Sequence, residues 1–343
     1  MTTRPATHAG TWYSADPAQL DHMLTDWLRA AQSASATDAA PADAQVPRIA
    51  QHSVVKGCKA VIGPHAGYRF SGSSAAWAYG CIDPEKIRRV FVLGPSHHAY
   101  LDGCALSPYK KLETPLGDLR VDKEVNDTLR ASKLFRLMSD EVDEDEHSME
   151  LHYPYIRKVF GERDISVIPI LVGQLSAVKA AQFAEVLAAH VADPATLVVV
   201  STDFCHWGER FRYTYYQGED EGTPVLLSSR TPREQYAKRP IHASIAALDA
   251  AAMTAISYSP TPAAPVVHTS AADARKAFTA YLSRTGNTIC GRNPLMLLLA
   301  TLAQLEAQDG SFVCKFTHYA QSGAVQVPSD SSVSYAAGYV QQV

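Results

Sequence analysis

Four short apolar runs frame the chain, each closed by turn-forming or polar residues: 60–62, 90–93, 166–172 and 197–201. Runs of this length without polar alternation are the pattern of strands buried on both faces of a parallel sheet. Pro169 interrupts the third run. Proline cannot donate to a ladder, so an edge position or a bulge is expected there. After that run, Ser176 caps an amphipathic helix to about Val191, with Phe183, Val186 and Leu187 inward, and the fourth run follows. Strand, helix, strand at this spacing predicts a right-handed parallel crossover.

Other helices are read in the same way. Asp16 and Pro17 form a cap followed by proline at the first helical position, and Leu20, Met23, Leu24, Trp27 and Leu28 recur at helical spacing. Ser71 opens a small-residue helix to Tyr79, and Asp122 caps another from Lys123. Residues 241–256, with Ile245, Leu248 and Met253 inward, and 295–305 are further apolar helices, while 312–319 and 333–340 alternate like strands. The stretches near 31–46, 217–240 and 258–272 are polar or rich in alanine and proline, and read as surface insertions. The expected fold class is α/β: one domain over residues 1–343, with a mostly parallel or mixed central sheet flanked by helices.

Composition narrows the function classes. The 343 residues are 46% hydrophobic and 19% charged, with a net charge of −4. That balance has ample core and no basic footprint, so neither nucleic acid nor membrane insertion is expected. No apolar run reaches the roughly 18 residues of a membrane helix, and the first residues lack the apolar centre of a signal peptide. Six cysteines without a paired spacing point to free thiols. A cytoplasmic protein is expected, with the nucleus as a second compartment open to it.

The chemistry gathers where the runs end. Gly63-Pro64 delivers His65, Gly94-Pro95 delivers His97 and His98, and Ser201-Thr202 delivers Asp203 and His206. Open α/β sheets place their sites at the carboxyl ends of strands. A lone histidine there more often caps its own loop. Three at equivalent ends, with a carboxylate, suit a non-haem iron, copper or zinc centre. Neighbours in extended chain alternate faces, so His97 is preferred over His98 as a ligand. Cys290 stands just before a helix, whose N-terminus would lower its thiol pKa and make it a soft ligand or a nucleophile. Cys205, by alternation, is structural. A Cys290–His206–Asp203 hydrolase is a minor alternative without a supporting signature. The acidic run 143–146 reads as solvated, with Glu146 or His147 as a further group beside the site.

At these residues the chain resembles the Memo (mediator of cell motility) family. The segments are His8-Ala-Gly-Thr-Trp-Tyr13, Gly63-Pro-His-Ala-Gly-Tyr68, Leu93-Gly-Pro-Ser-His-His98, residues 145–152, residues 201–213, Asn287-Thr-Ile-Cys-Gly-Arg292 and residues 330–338. The resemblance implies a fold similar to class III extradiol dioxygenases, which hold iron(II) with two histidines and a glutamate. Here His65 and His97 match the histidines, and Cys290 stands in place of the carboxylate. The softer thiolate speaks against ring cleavage and for iron(II) or copper in a different redox chemistry. The implied enzyme is a metal-dependent oxidoreductase, with His206 in the position of the general base and Asp203 beside the metal pocket. The resemblance also implies an alternative: a signalling adaptor in cell motility that binds a phosphotyrosine-containing receptor peptide in the same pocket. Trp12 and Tyr68, together with Asp203, His206 and Cys290, match the peptide-contacting positions. Arg210 and Arg212 would supply phosphate contacts.

Overall fold

The structure, a computed structural model, describes residues 3–33, 54–219, 222–261 and 266–343. The apolar runs form adjacent parallel strands: β1 (Cys58–Gly63), β2 (Arg89–Pro95), β3 (Ser166–Val172) and β4 (Thr196–Ser201). They lie side by side in the order β3-β2-β4-β1. The sheet continues through β6 (Ser332–Gln342), antiparallel to β1, and β5 (Phe312–Gln321), antiparallel to β6. It is therefore mixed, as one form of the expectation had it.

Both faces of the parallel strands are covered, which explains their unbroken apolarity. Ile62, Phe91, Leu93, Val198 and Val200 face a layer containing α5 (Ala177–Val191), α6 (Ile241–Ile256), α7 (Ala271–Thr285) and α8 (Arg292–Glu306). Val61, Val90, Val92, Leu197 and Val199 face the opposite layer, with α1 (Pro17–Ser33) and α2 (Tyr68–Tyr79). The period of two along each strand sends alternate residues to the two layers.

Several local expectations hold in detail. Asp16 accepts from the Gln19 amide at 2.8 Å, Asp122 caps α3 (Lys123–Ala131) through Val125, and Ser176 caps α5 through Lys179. β3 and β4 are parallel, with β2 between them.

Others are corrected. Pro169 is not at an edge or a bulge: β3 pairs with β2 in unbroken register, Val92 opposite Pro169. On its other side, the partner changes from the strand Leu119–Val121, ending opposite Val167, to Cys104–Leu106, beginning opposite Ile170. The proline falls in that gap, where a missing donor costs no ladder bond. α2 begins at Tyr68 rather than Ser71, with Gly67 as its cap residue and no side-chain cap. Ser71 instead donates to the Ala66 carbonyl at 2.6 Å.

α7 is a helix beyond those expected. Its signal was present, in Ser270 capping Asp273 and Ala274, Phe278 and Tyr281 on one buried stripe. Within 217–240, Val225–Leu226 pairs with Tyr215–Tyr216. Of the insertion near 31–46, residues 31–33 end α1 and the remainder lies outside the described residues, as do 262–265 of the third insertion. Among the described residues, no helix is long and apolar enough to cross a membrane.

Candidate metal centre

Three neighbouring strands end level with one another: Gly63 is in register with Ser201, and Leu93 with Val200. His65, His97 and Asp203 each stand two residues beyond their strand, so the sheet brings them to one edge. Cys290 arrives from the loop before α8. The Gly291 amide donates to Thr202 Oγ1 at 3.1 Å, and the Asp203 amide donates to Cys290 Sγ at 3.1 Å. Space decides the residue at 291. A Cβ there would lie 2.2 Å from Thr202 Cβ and 2.4 Å from the Ser201 carbonyl oxygen, so glycine is what allows the approach.

Donor atoms of His65, His97 and Cys290 lie within 4.8 Å of one another. The hydrogen-bond network assigns the tautomers. Ser201 donates its only hydroxyl proton to the Ser148 carbonyl at 2.6 Å. His65 Nδ1, 2.6 Å from that hydroxyl oxygen, must therefore be the donor, which leaves Nε2 as a lone pair 3.2 Å from Cys290 Sγ. His97 Nδ1 donates to Glu146 Oε1 at 2.9 Å, and this likewise frees Nε2. An oxygen acceptor behind each imidazole, which fixes its tautomer and direction, is the usual support of a metal-binding histidine.

Electrostatics agree with a neutral His65. Burial first, then the nearby His97, His147 and other imidazoles, hold His65 well below the ordinary histidine pKa, so its ring is neutral. Burial would raise Glu146, but the His97 hydrogen bond and charge and two backbone amides bring it down to about 2. The expectation of a helix-activated thiol is corrected. Burial, then the Asp203 charge, push the Cys290 thiol up, outweighing its backbone hydrogen bonds. Asp203 is itself pushed up to about 7 by burial, against the amides of His65 and Ala66. Its Oδ1 accepts from the His65 N–H at 2.9 Å, so Asp203 fixes the His65 loop.

His206 Nδ1 faces two carbonyls, Phe204 at 2.9 Å and Thr288 at 3.2 Å, and is therefore protonated there, with Nε2 left to accept. Burial lowers its pKa despite those carbonyls. The imidazole bonded to Cys290 is that of His65, so the sulfur's partner is not the His206 of the minor hydrolase reading.

The acidic run is only partly solvated: Asp145 is exposed and Glu144 half-buried, but the other two carboxylates turn inward. Asp143 and Glu146 are buried, and the Asp143 carboxylate takes the Arg4 guanidinium at 2.8 Å. Just beyond them, Glu150 is also buried and pairs with Arg4 at 2.5 Å and His8 at 2.8 Å. These contacts hold the 8–13 loop against α4 (His147–Glu150), where Trp12 lies over His147 with ring centroids 4.3 Å apart. His147 in turn stacks on His97 at 4.5 Å. His97, Glu146 and His147 form a second group with ligand-like atoms in reach. The two rings are only 16° from parallel, so their in-plane lone pairs do not converge on one point. Glu146 and His147 therefore serve as supports of His97.

The remaining predicted residues divide. Trp12 is 37% exposed beside His147, whereas Tyr68 is buried and donates inward to the Leu151 carbonyl at 2.7 Å, which leaves no surface of it for a peptide. Arg210 and Arg212 are exposed on and after the short turn Glu209–Phe211, with Arg210 over the Phe211 ring. His98, like His97, is exposed, and Cys205 is buried. The sequence reading missed Ser201 and Ser148, because hydroxyls at a strand end and in a helix turn carry no motif of their own.

Fold and site together define a mixed α/β protein with a His-His-Cys donor cluster at the carboxyl edge of its parallel strands. A family model described as Memo-like protein matches residues 4–339, and the chain belongs to the Memo family. Protein MEMO1 of Danio rerio is 41% identical over 98% of this chain and 97% of its own. Protein MEMO1 of Homo sapiens is 39% identical over the same shares, and the memo-1 homolog of Caenorhabditis elegans 37% over 98% and 82%. Among solved structures, an uncharacterized Escherichia coli K12 protein covers 81% of this chain and 98% of its own, at 15% identity and a TM-score of 0.40.

Proposed function

We propose that this protein binds iron(II) or copper through His65 Nε2, His97 Nε2 and Cys290 Sγ, and that the bound ion has a redox role. One observation carries the reading: two imidazoles, each locked by its Nδ1 proton, hold free Nε2 lone pairs within 4.8 Å of one another and of a thiol. A bound ion would supply one-electron chemistry. The chain's own part is to hold and exchange protons. Cys290 gives up its proton on ligation, Asp203 fixes the His65 loop, and His206 Nε2 is the base available in the pocket. With a thiolate where a carboxylate would favour ring cleavage, oxidoreduction without ring opening is the expected activity. The setting is cytoplasmic or nuclear, where the six free cysteines stay reduced. The test is anaerobic titration with Fe(II) and Cu(I), comparing the protein with a His65→Ala/His97→Ala variant. Equal binding by the two would sink the metal centre.

A second reading is favoured by the exposed Trp12 beside His147 and the exposed Arg210 and Arg212. In it the same site docks a phosphotyrosine peptide from a receptor in cell-motility signalling, with the guanidinium groups on the phosphate. A phosphotyrosine peptide and its unphosphorylated twin then differ in affinity. Equal Kd values would remove the phosphate contact.

A further inference from the structure

Behind the pocket lies a buried phenol–imidazole pair that the metal reading does not use. His152 is fully buried, and its Nδ1 is 2.8 Å from the hydroxyl of buried Tyr79, far closer than the His152 carbonyl at 3.4 Å, so with the ring proton on Nε2 the phenol donates to Nδ1. The opposite nitrogen, Nε2, is buried without a hydrogen-bond partner among the described residues. An unpaired buried polar atom costs about 1–3 kcal/mol, so stability does not explain the imidazole, and such atoms call for another role. Three nearby buried tyrosines donate to oxygen: Tyr68 to the Leu151 carbonyl, Tyr155 to the Gly72 carbonyl and Tyr13 to Glu150.

The pair sits between the pocket and a file of aromatic rings. His152 packs on the strand that carries His65: a Cβ on Gly63, two residues before the ligand, would lie 3.4 Å from His152 Cε1. On the far side, Tyr79 stacks on Tyr155 with centroids 4.7 Å apart and planes 12° from parallel. Tyr155 meets Tyr68 at 5.6 Å, and Tyr68 meets Trp27 of α1 at 6.1 Å. Trp27 is half-buried, so the file reaches from the pocket wall to the surface. Each step is ring against ring.

We infer that Tyr79 and His152 form a proton-coupled redox pair, through which an oxidising equivalent generated in the pocket is carried away along Tyr155, Tyr68 and Trp27. The inference rests on the redox reading for its source, a peroxide-derived one-electron oxidant formed in the pocket. In the step, Tyr79 loses one electron to that oxidant, which is reduced by one electron. The Tyr79 O–H bond breaks and its proton passes to His152 Nδ1, leaving a neutral tyrosyl radical and an imidazolium. The reverse transfer follows when an electron arrives along the file from a thiol-class reductant at the surface. Burial lowers His152 to about 3, so it is neutral and ready to accept beforehand. The same burial drives the proton back once Tyr79 is reduced.

The experiment uses the full metal-free chain, so that it does not depend on ion binding. A photogenerated ruthenium(III) polypyridyl complex is the oxidant, with persulfate as electron acceptor. The background is Tyr100→Phe, because Tyr100 is 86% exposed and would be oxidised directly. Electron paramagnetic resonance of frozen samples is expected to show a neutral tyrosyl radical coupled to an imidazole nitrogen, identified by 15N-histidine labelling. Tyr79→Phe is expected to lower its yield roughly tenfold, the effect of about 1.4 kcal/mol in the oxidation barrier. No tyrosyl radical, one without histidine coupling, or one undiminished in Tyr79→Phe overturns the pair. If that variant does not fold, the nitrogen coupling in the parent decides alone. Fe(II) and Cu(I) titration of the same preparation reads the metal centre separately, so either idea fails without the other.

Discussion

Glu146 holds His97 at two points: its Oε1 accepts from the ring Nδ1 at 2.9 Å, and its Oε2 from the backbone N–H at 2.7 Å. The same Oε1 also takes the Ser148 amide at 2.9 Å, which ties the His97 loop to the first turn of α4. One carboxylate thus fixes the tautomer, the ring direction and the loop.

Glu146→Gln keeps the size and removes the charge. Such support residues are worth about 10–100-fold in metal affinity, and a weakening of that order is expected for Fe(II) or Cu(I), with little change in the circular dichroism spectrum. Anaerobic titration calorimetry checks it. An unchanged Kd would mean that His97 needs no carboxylate behind it.

The thiol at Cys290 is protonated at neutral pH, since burial pushes it up. Ligation as a thiolate therefore releases about one proton. His65 is already neutral and adds none. Metal affinity should rise with pH across the neutral range and be weaker in mildly acidic buffer. Calorimetry in buffers of different ionisation enthalpy counts the proton, and a count of zero would exclude thiolate ligation.

Gly291→Ala places a methyl group against Thr202 and the Ser201 carbonyl. Overpacking of this kind costs about 1–3 kcal/mol, and here it also pushes Cys290 away from His65. The variant should melt lower and bind metal more weakly. Thermal denaturation and titration measure the two effects, and wild-type values for both would show that the loop moves freely.

Glu150 gives an acid-stability prediction. Burial would raise its pKa, but the His8 hydrogen bond and the Arg4 charge hold it at about 2. A depressed carboxylate contributes stability that is complete above its unfolded pKa of about 4.3, and that contribution is lost as pH falls through about 2. Denaturant midpoints should decline over that window, and decline less in Glu150→Gln. At neutral pH the variant should be less stable by about 3–5 kcal/mol, the cost of breaking a buried ion pair. Parallel pH profiles for the two proteins would contradict this.

Much of the fold was legible because its signals are local. Apolar runs of strand length, caps at Asp16, Asp122 and Ser176, and alternation at the chain end each depend on neighbours a few residues away. The donor loops were legible too, since Gly-Pro breaks and histidines follow the runs directly.

What could not be read is set by distance along the chain. The run 143–146 looks solvated until Arg4 arrives from 139 residues away to take Asp143, and Glu146 until His97 does so from 49. Pro169 looks like an edge residue until two different strands leave a gap beside it. Tyr68 belongs to a motif but turns inward, because α2 begins there and packs it against α1 and the segment around Leu151.

The sequence by itself determined which segments are strands and helices, and that histidines and a carboxylate follow the strands, because backbone period and turn chemistry act over a few residues. Only the tertiary structure decided that His65 and Cys290, 225 residues apart, come within 3.2 Å, and which nitrogen of each histidine is free. Those facts depend on the order of strands in the sheet and on single protons shared between side chains, and neither is a property of any one stretch of chain.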